Sequence, residues 1–163
     1  MNKNFYITTP IYYPSAKPHM GHAYSSIIAD LFARFKKIQG FNVYFLTGTD
    51  EHGQKIQRSA EKMGMDPLSF CDEISKTFKD LSKTLNLSNN DFIRTTEKRH
   101  HKSVQNLWNL LEKKGEIYLS KYSGWYSVSD EAFYLDDEIE TKEGIKVSKS
   151  SGSIVEWVEE ESY

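Results

Sequence analysis

Phe5-Tyr6-Ile7-Thr8-Thr9-Pro10-Ile11-Tyr12-Tyr13-Pro14-Ser15-Ala16-Lys17-Pro18-His19-Met20-Gly21-His22 decides the fold of this 163-residue chain. Its opening run, Phe5 to Ile11, is rich in aromatic and β-branched residues and reads as a buried strand. After it, Ile27, Ile28, Leu31, Phe32, Phe35 and Ile38 recur at helical spacing and predict an amphipathic helix. Tyr12 to His22 forms the turn between them and carries two histidines three residues apart. Helix N-termini present free N–H groups and the positive end of the dipole, which suit phosphate. A strand–turn–helix with His19 and His22 at the helix start is therefore a place to hold a polyphosphate.

Working outward, Gly40 stands where a helix C-terminal cap belongs, and Phe41 to Thr47 reads as a second strand. The turn Gly48-Thr49-Asp50-Glu51-His52-Gly53 leads to a second helix, about 54–63, closed by Gly64. Asp66-Pro67 opens a third helix, an N-cap residue followed by proline at the first helical position. Its apolar stripe is Phe70, Ile74, Phe78, Leu81 and Leu85. Residues 91–95 form a short strand candidate. A fourth helix covers about 97–114, with Val104, Leu107, Trp108 and Leu111 on one face. The order β-α-β-α-α-β-α predicts an α/β fold, a Rossmann-like parallel sheet flanked by helices, over residues 1–116. Ligands of such sheets sit beyond the carboxyl ends of the strands, where both unusual turns fall. From residue 117 the texture changes to short strand candidates at 117–120, 124–128, 132–134 and 154–158, joined by polar turns. Residues 117–163 therefore read as the start of a small β-rich insertion.

Composition is permissive. The net charge is −2, yet residues 1–129 carry 18 Lys/Arg against 12 Asp/Glu, and residues 130–163 carry 3 against 11. A basic body with an acidic end allows a polyanionic partner without demanding one. Cys71 is the only cysteine, which excludes a disulfide framework and a cysteine zinc cluster. No uncharged run is long enough to span a bilayer, and no signal peptide opens the chain. The simplest expectation is a cytoplasmic protein without a membrane partner.

Three blocks in order carry a resemblance: Thr8 to Pro14, His19-Met20-Gly21-His22, and Thr47 to Gly53. Together they resemble the class I methionyl-tRNA synthetases, and His19-Met20-Gly21-His22 is similar to the HIGH signature of that class. Residues 122–134 and 155–163 resemble the start of the family's connective insertion. The resemblance covers the front of a family catalytic domain, without the second half of the nucleotide fold, the KMSKS loop or the anticodon-binding helices. It implies a ligase that activates methionine with ATP and Mg2+ to methionyl-adenylate and passes the methionyl group to tRNA. The tRNA contacts would come mostly from the part beyond residue 163, and the chain alone is expected to be inactive.

The resemblance gives His19 and His22 the catalytic role of meeting charge on the phosphate oxygens during in-line attack. One such donor is typically worth about 2.7–4 kcal/mol. ATP binding falls to His19, Gly21 and His22, with Gly21 letting a base or ribose lie against the backbone. Asp50 is given the α-amino group of methionine, and Ile11 and Tyr13 part of the thioether pocket.

Each role has a plainer rival. His-x-x-His also suits a metal pair, with Asp50, Glu51 and His52 as further ligands. Asp50 could be an N-cap for the second helix, Ile11 and Tyr13 core residues, and Cys71 a small buried hydrophobe. Arg99-His100-His101-Lys102 reads as a solvated basic face. Some family members carry a zinc knuckle with cysteines close to where Ser127 and Asp130 stand, so this chain resembles the zinc-free subtype, with no metal expected. A second knuckle half could lie beyond residue 163. Lys146-Val147-Ser148-Lys149-Ser150 mimics KMSKS, but its place inside the insertion marks a polar hairpin tip. Two other functions remain open: another HxGH nucleotidyl transferase, and a non-catalytic binding module.

Overall fold

The computed structural model describes residues 3–163. The first part is a three-stranded parallel sheet with helices. β1 (Asn4–Thr8), β2 (Asn42–Thr49) and β3 (Asp91–Arg94) lie in the order β1-β2-β3. Thr8 pairs with Leu46, and Leu46 with Asp91. α1 (Met20–Ile38) links the first two strands; α2 (Gln54–Lys62) and α3 (Pro67–Thr84) link the second and third. α4 (Lys98–Lys113) follows β3. Parallel pairing requires such crossovers, because a tight turn can only reverse a strand.

β1 is shorter than the apolar run suggests. It stops at Thr8, and Pro10, which has no N–H, interrupts the ladder. Pairing resumes one step on: the Tyr12 N–H donates to Gly48 O at 2.9 Å, and the Asp50 N–H to Tyr12 O at 2.8 Å. The signature turn is thereby laced to the carboxyl end of β2.

Two cores flank this sheet. α3 buries its expected face, with Phe70, Ile74 and Phe78 joining Tyr12, Ile56, Ala60 and Cys71. Asp66 caps it as read, accepting from the Ser69 N–H at 3.0 Å. α1 does the opposite of what its sequence pattern suggests. Its stripe of Ile27, Ile28, Leu31, Phe32, Phe35 and Ile38 is exposed. The buried side is Ala23, Ser26, Ala29, Asp30 and Ala33. Small residues let the helix approach Val43 and Phe45 of β2 closely. α4 also leaves its stripe uncovered: it buries no residue, and Val104 and Leu107 stand exposed.

The remaining strands are antiparallel. β4 (Ser120–Ser127) lies between β5 (Ala132–Tyr134) and β8 (Glu156–Ser162), while β6 (Ile139–Lys142) and β7 (Ile145–Ser148) form a separate hairpin. The expected strand at 117–120 starts only at Ser120. The one at 154–158 shifts to Glu156–Ser162, through an acidic run that stays exposed and is held by pairing along β4. β6 and β7 were not legible as strands. β6 and β7 turn over at Glu143-Gly144, both at positive φ. A second turn follows at Lys149 to Gly152 and closes an antiparallel bridge between Val147 and Ile154, so Lys146 to Ser150 runs into a polar hairpin turn as expected. Lys146 to Ser148 are its strand side, within β7, with Val147 and Ser148 buried.

The chain divides into two compact units, Met1–Val104 and Gln105–Tyr163. No helix among the described residues is long and apolar enough to cross a membrane.

Candidate active site

The signature histidines sit where the turn becomes α1. His19 is the N-cap of that helix, with extended backbone at φ −133. Its Nδ1 accepts the Gly21 N–H at 3.1 Å, and the His19 N–H donates to His22 Nδ1 at 3.1 Å. The two imidazoles thus close a reciprocal capping box, using ring nitrogens where Ser and Glu oxygens commonly serve. A nitrogen that accepts an N–H carries no proton. In each neutral ring the proton is therefore on Nε2. Two Nε2–H donors result, with ring centroids 3.9 Å apart. The box consumes the Gly21 N–H, so the ring donors, rather than that backbone group, are what this end offers an anion.

His22 is held neutral by its surroundings. Burial first, and then the neighbouring His19, push its pKa below the ordinary 6.5. Its ring meets Tyr12 and Phe78 edge-on at 5.5 and 5.0 Å. Tyr12 stacks on Phe78 at 5.0 Å, and its hydroxyl pairs with Ser26 at 2.5 Å. The Ser26 hydroxyl also bonds His22 O at 2.6 Å. Tyr12 is thus the pillar that seats the histidine turn on α3, a role the sequence did not reveal for it. Gly21 has a second reason to be glycine: a Cβ there would stand 2.9 Å from the His19 ring.

The second turn meets the first through Tyr12 and Tyr13. Asp50, half-buried, follows Thr49, which bridges to Tyr12 in parallel fashion. Asp50 is not the N-cap of α2; that position is Gly53, which has no side-chain bond to offer. The Tyr13 hydroxyl donates to His52 O at 2.9 Å, and a Cβ on Gly53, at φ +102, would lie 2.6 Å from that hydroxyl. Tyr13 also packs partly against the α2–α3 core, so its plainer rival is partly true. Ile11 is not core: it is exposed. It lines a cavity of about 190 Å³ with Thr8, Leu46, Thr47 and Ile93 at the carboxyl ends of the strands. Tyr13 and Asp50 do not line that cavity.

Sequence reasoning offered Glu51 only as a rival metal ligand and missed the buried network it forms under this turn. Glu51, 4% exposed, accepts from Thr49 Oγ1 at 2.7 Å, Arg94 Nε at 2.7 Å and Thr96 Oγ1 at 2.5 Å. Arg94 also pairs with Asp72 at 2.6 Å. A carboxylate between two site candidates was the available signal, but only the fold shows it facing inward. Cys71 is buried as expected, and burial, with Glu51 nearby, pushes its thiol up to about 11.

Among the described residues, no group of three or more His, Cys, Asp or Glu could hold an ion. In the second unit, Ser127 and Asp130 belong to a turn in which the Asp130 N–H donates to Ser127 Oγ at 3.3 Å. A like turn follows β7, where Ser148 Oγ accepts the Ser150 and Ser151 N–H groups. The two turns meet at Asp130, which accepts from Ser151, Ser153 and Tyr134 at 2.5, 2.8 and 2.8 Å. Hydroxyls and one carboxylate do not fit zinc, which prefers thiolate and imidazole.

Residues 5–159 match the family model of class I tRNA synthetases (M). The chain belongs to that family. The mitochondrial methionine–tRNA ligase of Takifugu rubripes is 53% identical over 99% of this chain and 28% of its own length. Methionine–tRNA ligase 1 of Bacillus cereus is 52% identical, over 99% of this chain and 26% of its own length. A solved structure of Mycobacterium tuberculosis methionyl-tRNA synthetase in complex with methionyl-adenylate superposes with a TM-score of 0.90. It is 43% identical and covers 99% of this chain and 32% of that one. The chain therefore spans between a quarter and a third of the length of these relatives, and it matches the N-terminal catalytic part of the family.

Proposed function

We propose that the chain supplies the front of a methionine–tRNA ligase active site, in which ATP and methionine form methionyl-adenylate before transfer to tRNA. The observation that carries this reading is the histidine capping box. It fixes two Nε2–H donors at the start of α1, beyond the carboxyl end of a parallel sheet. Charge that grows on the phosphate oxygens during attack by the methionine carboxylate meets donors that need no reorganisation. Nδ1 of each ring is engaged by a backbone N–H, which leaves Nε2 to face the phosphate, and no covalent bond to the protein is required.

Ile11 offers an apolar wall for the thioether side chain, and Asp50 a carboxylate for the methionine ammonium. Tyr13, whose hydroxyl bonds His52 O, steadies the turn that carries Asp50. Gly21 keeps the nucleotide side of the turn free of a side chain. Mg2+ accompanies ATP, and zinc has no part, given the donor set around Asp130. We further propose that residues 1–116 form the first half of the Rossmann-like catalytic domain, that residues 117–163 begin the connective insertion, and that the protein works in the cytoplasm. The pyrophosphate clamp and most tRNA contacts would come from the rest of the catalytic domain, so the 163-residue chain alone is inactive.

The test is methionine-dependent ATP–pyrophosphate exchange by the protein extended to the length of its relatives, beside the 163-residue chain. The extended protein should exchange and the short chain should not. His22→Ala should lower kcat by about 10²–10³-fold, whereas Asp50→Ala should mainly raise the KM for methionine. Exchange that does not depend on methionine would refute the substrate, and equal loss of both parameters in both variants would refute the assigned roles.

A further inference from the structure

Glu51 is the most unusual side chain in the first unit, because its carboxylate is wholly withdrawn from solvent. Burying an ionised carboxylate is unfavourable unless it is paired and hydrogen-bonded. Here both conditions hold. Oε1 accepts Thr49 Oγ1 and Arg94 Nε, and Oε2 accepts Thr96 Oγ1. Arg94 is anchored in turn by Asp72 on α3. One side chain thus joins the end of β2, the end of β3 and a helix.

The residues beside Glu51 are tied just as closely. The Asp50 N–H donates to Tyr12 O at 2.8 Å, the Glu51 N–H to Thr95 Oγ1 at 2.8 Å, and the Tyr13 hydroxyl to His52 O at 2.9 Å. The His52 ring reaches Thr95 O at 3.5 Å. The turn is clamped from one side by the signature stretch and from the other by residues 94–96. An apolar residue at 51 could fill the space, but it could not hold Arg94 and two hydroxyls in one arrangement.

We infer that Glu51 is a positioning residue for the amino-acid site: with Arg94, Thr49 and Thr96 it fixes the backbone that presents Asp50, without touching substrate itself. The inference rests on the reading of Asp50 as the methionine ligand. Losing the Glu51 charge frees the turn, so the ammonium contact is made from a broader set of conformers. Binding of methionine weakens while the histidine donors, held by their own capping box, stay in place. The effect is therefore confined to one substrate and one kinetic parameter.

The experiment uses the protein extended to its relatives' length. Glu51→Gln should raise the KM for methionine in pyrophosphate exchange by about tenfold, with kcat and the KM for ATP within about threefold of the parent. The same samples, measured by amide hydrogen exchange, should show faster exchange at Asp50 and Glu51 with Phe45 in β2 unchanged. An unchanged methionine KM in a folded variant overturns the inference. If the parent itself shows no methionine-dependent exchange, the substrate reading fails, and hydrogen exchange still decides the clamp: unchanged rates at Asp50 and Glu51 overturn it. Should Glu51→Gln not fold, Asp72→Asn loosens Arg94 from outside. It should raise the methionine KM about twofold to threefold and speed exchange at Glu51; no change in either overturns the inference.

Discussion

α1 and α3 are nearly equal in length, and each carries an apolar stripe at helical spacing, yet only α3 buries it. α3 turns Phe70, Ile74 and Phe78 into the core beneath Tyr12. α1 turns its alanines inward and leaves Leu31, Phe32 and Phe35 half or more exposed. The difference teaches that periodicity locates a face without saying what covers it. α1 lies close to β2, where the space fits Ala29 and Ala33 but not a phenylalanine. Its large residues are consequently displaced to the far side. α3 packs under a turn with room for aromatic rings.

The contrast is broken most directly at Phe78. Phe78→Ala should cost about 3–5 kcal/mol in urea unfolding of the chain, because the ring is fully buried and supports both Tyr12 and His22. A loss under 1 kcal/mol would mean that α3 does not carry the core. Next comes Ala33→Leu, which enlarges the side of α1 that the stripe would have filled. Ala33 is fully buried, and overpacking should cost about 1–3 kcal/mol. Stabilisation by this change would show that α1 has slack against the sheet.

Tyr12→Phe keeps the ring stack on Phe78 and deletes the bond to Ser26. A loss of about 0.5–1.5 kcal/mol is expected in the same assay, which separates the stacking and hydrogen-bonding parts of the pillar. His22 adds a pH dependence. Its folded pKa lies below 6.5, so the folded form resists the proton that the unfolded chain accepts. Its contribution is therefore complete above pH 6.5 and declines as pH falls from there through the lower folded value. Unfolding measured at pH 7.5 and 5.5 should show a drop in the parent that is smaller in His22→Gln; equal drops would contradict the sign. Smallest of all, Phe35→Ser on the exposed stripe should change stability in the same urea unfolding by no more than about 0.5 kcal/mol. A loss near that of Phe78→Ala would erase the distinction between the helices.

Legibility varied with the kind of signal. Capping and turn chemistry were read closely: Asp66 before Pro67, and Gly40 and Gly64 after helices, are where the fold needs them. Those signals are local, set by one residue's φ or one side-chain oxygen. The β6–β7 hairpin escaped notice although Ile145-Lys146-Val147-Ser148 alternates apolar and polar residues, because each strand is only four residues long and sits in a run dominated by charge and turn residues. Asp50 looked like a helix cap because it precedes a helix. The chain instead uses Gly53, since the residues before it are bound to Tyr12, Tyr13 and Thr95.

The same division runs through the candidate site. The spacing of His19 and His22, their place at a helix start, and the strand before them are properties of a short stretch, so the sequence by itself determined a strand–turn–helix suited to phosphate. Which ring nitrogen carries the proton depends on bonds closed within that turn, and became definite only once the helix had formed. The inward path of Glu51, the pillar made by Tyr12, and the exposure of the α1 stripe were decided by tertiary structure alone. Each depends on what stands opposite in space: Arg94 and Phe78, dozens of residues away in the chain, or β2, which follows α1 directly but whose close approach no local pattern states. Local sequence fixes dihedral angles and donor patterns; only packing fixes which atoms share a dry interior.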